Sequence, residues 1–204
     1  MSEDVRPAAA AALEPGEQAR ADVYRLLGVL LAAPPNAALI DLLRDIRPQQ
    51  DAGETAMAAA WKGLQAAAEG TDPDRLVDEY FNLFIGLGRG ELVPYASFYI
   101  HGLLMEKVLA ALRETLARLG LERQADVAEP EDHAAAVCEI MGMIISDHGL
   151  HLEQAAFFED YVSTWLGHFF TDLGKAEAAD FYRAVAQLGQ QFMAVEQRYF
   201  SLPA

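Results

Sequence analysis

Cysteine occurs once in 204 residues, so no internal disulfide can form and the chain must be held together by burial. Cys138 falls on the apolar side of a helical pattern and reads as core filler in a reducing compartment. Cationic residues are also scarce, 15 Lys and Arg against 31 Asp and Glu, for a formal net charge of −16. That balance opposes a phosphate backbone, which needs cations to release its counterions, so nucleic acid is excluded as an expected partner. A cationic partner is favoured, although the same acidity also serves solubility. No run approaches the roughly 20 apolar residues of a membrane helix. The opening segment MSEDVRPAAAAALEPGEQ has no basic n-region and only a short, weakly apolar run, unlike a secretory signal. The expectation is a soluble cytoplasmic protein without stable membrane insertion.

Period-two alternation is missing too, which argues against a sheet. None of the five histidines stands in a Glu-x-x-His or His-Glu-x-x-His pattern, so di-iron and zinc-protease sites have no support. His148 and His151 flank Gly149 at a helix end and read as surface or capping residues. The glycines Gly86, Gly88 and Gly90 match neither phosphate-loop nor dinucleotide spacing. No metal, cofactor or catalytic residue is expected.

What is present is helical periodicity almost throughout. Phe98, Gly102, Met105, Leu109, Leu112, Leu116 and Leu119 form one stripe, predicting a long core helix over 97–119 that ends at Gly120. Phe158, Val162, Trp165 and Phe169 predict another helix, and Phe181, Val185, Leu188, Phe192, Val195 and Tyr199 one more, the two separated near Gly174. Val137, Ile140, Met141, Ile144 and Ile145 belong to a helix expected to begin at Pro130 and break around Gly149. Nearer the start, a helix through Val23, Leu26, Leu27, Leu30 and Leu31 stops before Pro34-Pro35, and Asn36 caps a short second. An alanine-rich third covers 57–68, and Asp72-Pro73 opens a fourth that runs to about Phe84. The architecture expected is an all-α, single-domain bundle of about eight helices over residues 16–204, after a disordered tail of 15. A chain of this size buries roughly 70% of its unfolded surface, enough for a self-sufficient core.

Two stretches depart from helix-building composition. In 79–102 (EYFNLFIGLGRGELVPYASFYIHG), Tyr80, Leu83 and Phe84 share one helical face, and Pro94 to Tyr99 makes an aromatic turn in which Ser97 is expected to cap the following helix with its hydroxyl. These aromatics serve either as core or as the wall of an apolar groove. In 129–133 (EPEDH), carboxylates in the first turn of a helix would complement its positive end, and His133, held by Asp132 or Glu129, can face the same groove. A carboxylate-lined apolar groove suits a peptide that carries arginine beside hydrophobic residues.

Taken together, Glu79-Tyr80-Phe81-Asn82-Leu83-Phe84-Ile85-Gly86, then Pro94-Tyr95-Ala96-Ser97-Phe98-Tyr99, then Glu129-Pro130-Glu131-Asp132-His133 resemble the TorD/DmsD family of redox-enzyme maturation chaperones, related to the NarJ group. The resemblance extends from the Tyr24-Arg25-Leu26-Leu27 helix to Phe157-Phe158 and Trp165; a tryptophan that some members carry near the first motif is Tyr80 here. It implies an all-helical cytoplasmic protein without enzymatic activity. The implied partners are the catalytic subunit of a molybdopterin-dependent oxidoreductase of the dimethyl sulfoxide reductase type, before cofactor insertion, and its twin-arginine leader peptide. By the same resemblance Glu79, Tyr80, Leu83, Phe84, Pro94, Tyr95, Ser97, Tyr99, Pro130, Asp132 and His133 form the peptide-binding surface, with Leu83, Phe84 and Tyr95 lining its apolar groove. The expected state is a monomer with some dimer, and a NarJ-like role with a leaderless client, a nucleotide-dependent action and an acidic helical scaffold are the alternatives.

Overall fold

A computed structural model describes residues 13–46, 55–102, 106–124 and 129–202. The helices are α1 (Pro15–Ala32), α2 (Ala37–Asp45), α3 (Ala56–Glu69), α4 (Pro73–Tyr80), α5 (Ala96–His101), α6 (Glu106–Leu119), α7 (Ala134–Ser146), α8 (Gln154–Phe157), α9 (Leu166–Lys175) and α10 (Phe181–Ser201). α4 and α8 each run on into one π-helical turn, Phe81–Ile85 and Phe158–Val162. There is no strand among the described residues, only an isolated antiparallel bridge between Tyr95 and His133. The all-α bundle is therefore as expected. The expected disordered tail falls, for residues 1–12, outside the described residues, while Pro15 already belongs to α1.

Local chemistry explains the starts. The side chains of Asn36, Thr55 and Asp72 accept the backbone N–H of Leu39, Ala58 and Asp74, satisfying donors that a helix start leaves open. α1 packs most extensively against α7. Glycines make that crossing close: a Cβ on Gly28 would lie 3.2 Å from the Ala135 carbonyl oxygen, and one on Gly142 would lie 3.3 Å from that of Ala21. α10 packs against α9, α3 and α1, and the core between them holds Tyr24, Leu27, Leu64, Trp165, Phe169, Phe170 and Tyr182. Cys138 is buried in this core, as its sequence position implied, and burial pushes its thiol pKa well up.

One polar knot crosses the bundle. Arg20 of α1, 7% exposed, donates from Nε and Nη2 to the two carboxylate oxygens of Glu196, 0% exposed, at 2.7 and 2.8 Å. Its Nη1 reaches Gln154 of α8 and Glu17, both at 2.9 Å, and its guanidinium carbon lies 3.8 Å from the Tyr199 ring centroid. Four of the five N–H donors of the fork thus have a partner.

Three boundaries differ from the sequence expectation. The long helix over 97–119 is two helices, because Gly102 takes φ 74° and ends α5; residues 103–105 lie outside the described residues. α6 is also a surface helix, fully burying only Leu112 and Leu116 of its described side chains. The helix expected from Pro130 begins at Ala134 with His133 as its N-cap, so no carboxylate sits in its first turn. The helix through Phe158 and Phe169 is broken at 163–165, and α9 starts at Leu166.

Candidate functional site

The second and third motif segments meet. Ala96 N–H donates to the Asp132 carbonyl at 2.9 Å and Ala134 N–H to the Pro94 carbonyl at 2.8 Å, so 94–96 and 132–134 brace each other like two strands one bridge long. Asp132, 2% exposed, accepts the Ser97 N–H on Oδ2 at 3.2 Å. The first turn of α5 is thus capped from a distant segment, and the expected cap by the Ser97 hydroxyl is absent: the N-cap position is Tyr95, without a side-chain capping bond. Buried Pro94 and half-buried Pro130 hold the two arms, and the Pro130 carbonyl accepts the His133 N–H at 3.1 Å. The Tyr95 ring meets the His133 ring edge-on at 5.1 Å, and its hydroxyl donates to the Glu129 carboxylate. Burial first, then Glu129, raises the Tyr95 pKa.

His133 is 5% exposed, and its Nδ1 accepts the Ala135 N–H at 3.1 Å, a bond only the neutral ring can accept. Burial lowers its pKa and outweighs the opposing pull of Glu129 and Asp132. A histidine whose folded pKa lies below its ordinary 6.5 contributes stability that is present above 6.5 and lost as pH falls toward the folded value. Stability should accordingly fall below pH 6.5, by at most about 1.4 kcal/mol per pH unit from this group. His133→Asn, which retains a capping acceptor, should remove that slope below pH 6.5 in urea titrations. An unchanged slope would mean that His133 does not titrate in this window.

Glu131 is tied down differently. Arg113 of α6 approaches its Oε2 to 2.9 Å, and Arg123 lies 3.7 Å from Oε1. Burial alone would raise its pKa, but the Arg113 hydrogen bond, its own backbone and the two arginine charges together hold the carboxyl below its usual range.

The first motif packs against α1 and α10. Tyr80, 7% exposed, donates its hydroxyl to the Leu31 carbonyl at 3.2 Å, and Tyr182 donates to the Leu30 carbonyl at 2.8 Å, satisfying carbonyls in the last turn of α1. Burial, followed by the charge of Glu129, pushes the Tyr80 pKa up to about 12. Half-buried Phe84 packs edge-on against Tyr80 at 5.0 Å and Tyr182 at 5.4 Å, while Leu83 is fully buried. Leu83 is therefore core and offers no side chain to a groove, while Phe84 and Tyr95 keep part of their surface and Tyr182 of α10 covers one side of Tyr80 and Phe84. The apolar side chains that this segment does expose are Val77, Phe81 and Ile85, four residues apart, and Leu87, which is 98% exposed. Glu79 caps α10 through the backbone N–H groups of Asp180, Phe181 and Tyr182 at 2.8 to 3.2 Å. Tyr99 packs on Trp165 and Phe169, and its pKa is raised by burial and by Asp172.

Beside the brace, between the C-terminal end of α6 and the outer face of α7, lies a cavity of 160 Å³ whose lining includes Leu116, Leu121, Ile140 and Met143. Glu122, Glu129, Glu131 and Glu139 stand around it, with Arg123 as its one lining cation among the described residues. Leu121 and Met143 carry it into a second, open groove that reaches Leu150.

A family model described as "Nitrate reductase delta subunit" matches residues 50–171, more than half of the chain and all three motifs. The chain belongs to that family. Within it, the chain is 29% identical over 170 residues to a Haemophilus influenzae protein named "Probable Tat proofreading chaperone DmsD", covering 80% of this chain and 83% of the relative. It is 27% identical over 201 residues to the chaperone protein TorD of Shewanella loihica, covering 89% and 93%. A solved structure described as a redox enzyme maturation protein from Archaeoglobus fulgidus superposes with a TM-score of 0.61 over 92% of this chain and 99% of that one; at 18% identity this shows the shared fold. The resemblance to the TorD/DmsD family read from the motifs is thus borne out.

Sequence reasoning about this family member missed Arg20, Arg113, Glu122, Glu139 and Met143. Arg20 stands in a helix among charged neighbours with nothing to mark it as buried. Glu139 had a legible signal, since it is the one charged side chain in the otherwise apolar α7.

Proposed function

We propose that this family member is a cytoplasmic maturation chaperone, not an enzyme. It binds the catalytic subunit of a molybdopterin-dependent oxidoreductase before cofactor insertion and masks its twin-arginine leader until folding is complete. The observation that carries the reading is the brace itself: two motifs 35 residues apart are cross-bonded into one platform, Ser97 N–H to the Asp132 carboxylate included. Its ionisable groups are spent on holding shape. His133 caps a helix, Asp132 caps another and Glu131 is paired, which leaves none of them poised for proton transfer. The net charge of −16 favours a cationic client segment. In this reading the brace orients the binding surface, and the pair Asp132 and His133 acts through the backbone it fixes.

A second reading is favoured by the description of the matching family model, a nitrate reductase delta subunit: an assembly factor for a molybdoenzyme that carries no leader. Affinity purification of the tagged chain from its own host, with mass spectrometry of what co-purifies, tests both. A molybdoenzyme catalytic subunit with its leader intact is the expected result. A leaderless subunit would move the assignment to the second reading, and recovery of no redox enzyme would overturn both.

A further inference from the structure

The cavity between α6 and α7 is distinct from every side chain that the motif pattern assigns to the peptide surface. Its floor is apolar: Leu116 and Ile140 are nearly buried, and Met143 is 39% exposed. Of the four carboxylates around it, Glu131 is neutralised by Arg113 and Arg123, and Glu129 accepts the Tyr95 hydroxyl. Glu122 and Glu139 are left with no hydrogen bond or ion pair to any described residue. Two unspent carboxylates over an apolar floor match a side chain with an apolar stem and a cationic head, which in a protein means arginine or lysine.

We propose that this cavity is the subsite that receives an arginine of the client segment, its aliphatic stem on Ile140 and Met143 and its guanidinium between Glu122 and Glu139. The assignment rests on the chaperone reading above and names the place where that reading's cationic segment docks. At 160 Å³ the cavity has about the size of one that accepts a benzene-sized group, so it takes a single side chain and not a whole peptide. The rest of the segment follows the open groove past Leu121, Met143 and Leu150. Ala136 and Asp147 bound this path along α7 and its C-cap, eleven residues apart, which at about 1.5 Å per residue gives roughly 16 Å, or room for about five extended residues. Charge decides among occupants. A second copy of a chain of net charge −16 is repelled, and so is a phosphate compound, whereas a segment with adjacent arginines before apolar residues is matched at both ends.

The experiment uses the full chain and two synthetic peptides, one with two adjacent arginines followed by a leucine-rich run and one with both arginines replaced by glutamine. Binding is read by fluorescence anisotropy at two salt concentrations. The wild-type chain should prefer the arginine peptide, and Glu122→Gln with Glu139→Gln should weaken it about tenfold and reduce the salt dependence. Met143→Lys should weaken it by about tenfold or more, whereas Glu69→Gln on α3, an equal charge change away from the cavity, should leave it unaltered. All substituted positions are exposed, so melting temperatures should match wild type. If the wild-type chain binds the arginine peptide and the cavity variants bind it equally well, the subsite is overturned and the chaperone reading stands. If the wild-type chain does not discriminate between the two peptides or binds neither, the leader-binding part of that reading falls, and the subsite with it.

Discussion

Glu196→Ala should destabilise the fold by about 3–5 kcal/mol, the range for stranding one member of a buried ion pair. Glu196 has no exposed surface and holds Arg20 with two hydrogen bonds, and its loss leaves a guanidinium 7% exposed with only Gln154 and the partly exposed Glu17 as polar partners. The arginine cannot escape the penalty by losing its proton, since a guanidinium keeps its charge at any pH the protein meets. Urea unfolding followed by circular dichroism measures the effect. The paired change Arg20→Met with Glu196→Leu provides the control: removing both charges together should cost far less, because the desolvation of two ions is then avoided as well. If the single variant loses less than about 1 kcal/mol, water reaches the knot and it contributes little to holding α1, α8 and α10 together.

Leu83→Ala is the second large effect, about 2–5 kcal/mol from lost burial and the cavity left behind. Leu83 is 0% exposed, and its carbonyl accepts the Leu92 N–H at 2.8 Å, so the π-helical turn and the loop that follows both depend on its position. This places the residue in the core, where truncation lowers the folded fraction and not the affinity of what remains folded. In calorimetric titration with the arginine peptide, the apparent number of sites should fall while the dissociation constant stays near wild type. Leu83→Met, close in volume, should cost less than about 1.5 kcal/mol. Weakened affinity with unchanged stability would return Leu83 to the binding surface and require this corner to open.

Most of the helices were legible because their signals are local. Asn36 and Asp72 cap as their chemistry demands, and Pro34 follows the end of α1. Gly102 shows the limit of periodicity: it sits in register with an apolar stripe, yet having no Cβ it can take φ 74°, and the stripe continues across a break. In the EPEDH stretch the composition suited a helix start, but the carboxylates that should have lined the first turn were drawn elsewhere, Asp132 to Ser97 N–H and Glu131 to Arg113. The same tertiary competition took the capping role from Ser97. Local rules rank candidates for a bond; they do not see a stronger acceptor that arrives from 35 residues away.

The sequence by itself determined the helical class and the family, since these rest on composition, spacing and motif order along the chain. It also determined the sign of the surface, because a net charge of −16 does not depend on the fold. Tertiary structure alone decided which motif residues face inward. Tyr80 and Leu83 share a helical face, but it is the packing of Tyr80 against α1 and Tyr182 of α10 that turns it inward, and the crossing of 94–96 with 132–134 that makes Asp132 and His133 buried braces. The cavity between α6 and α7 belongs to neither helix in sequence. It brings Glu131, held by Arg113 and Arg123, together with Glu122 and Glu139, which have no partner among the described residues, around apolar side chains of both helices, an arrangement that only proximity in space can create.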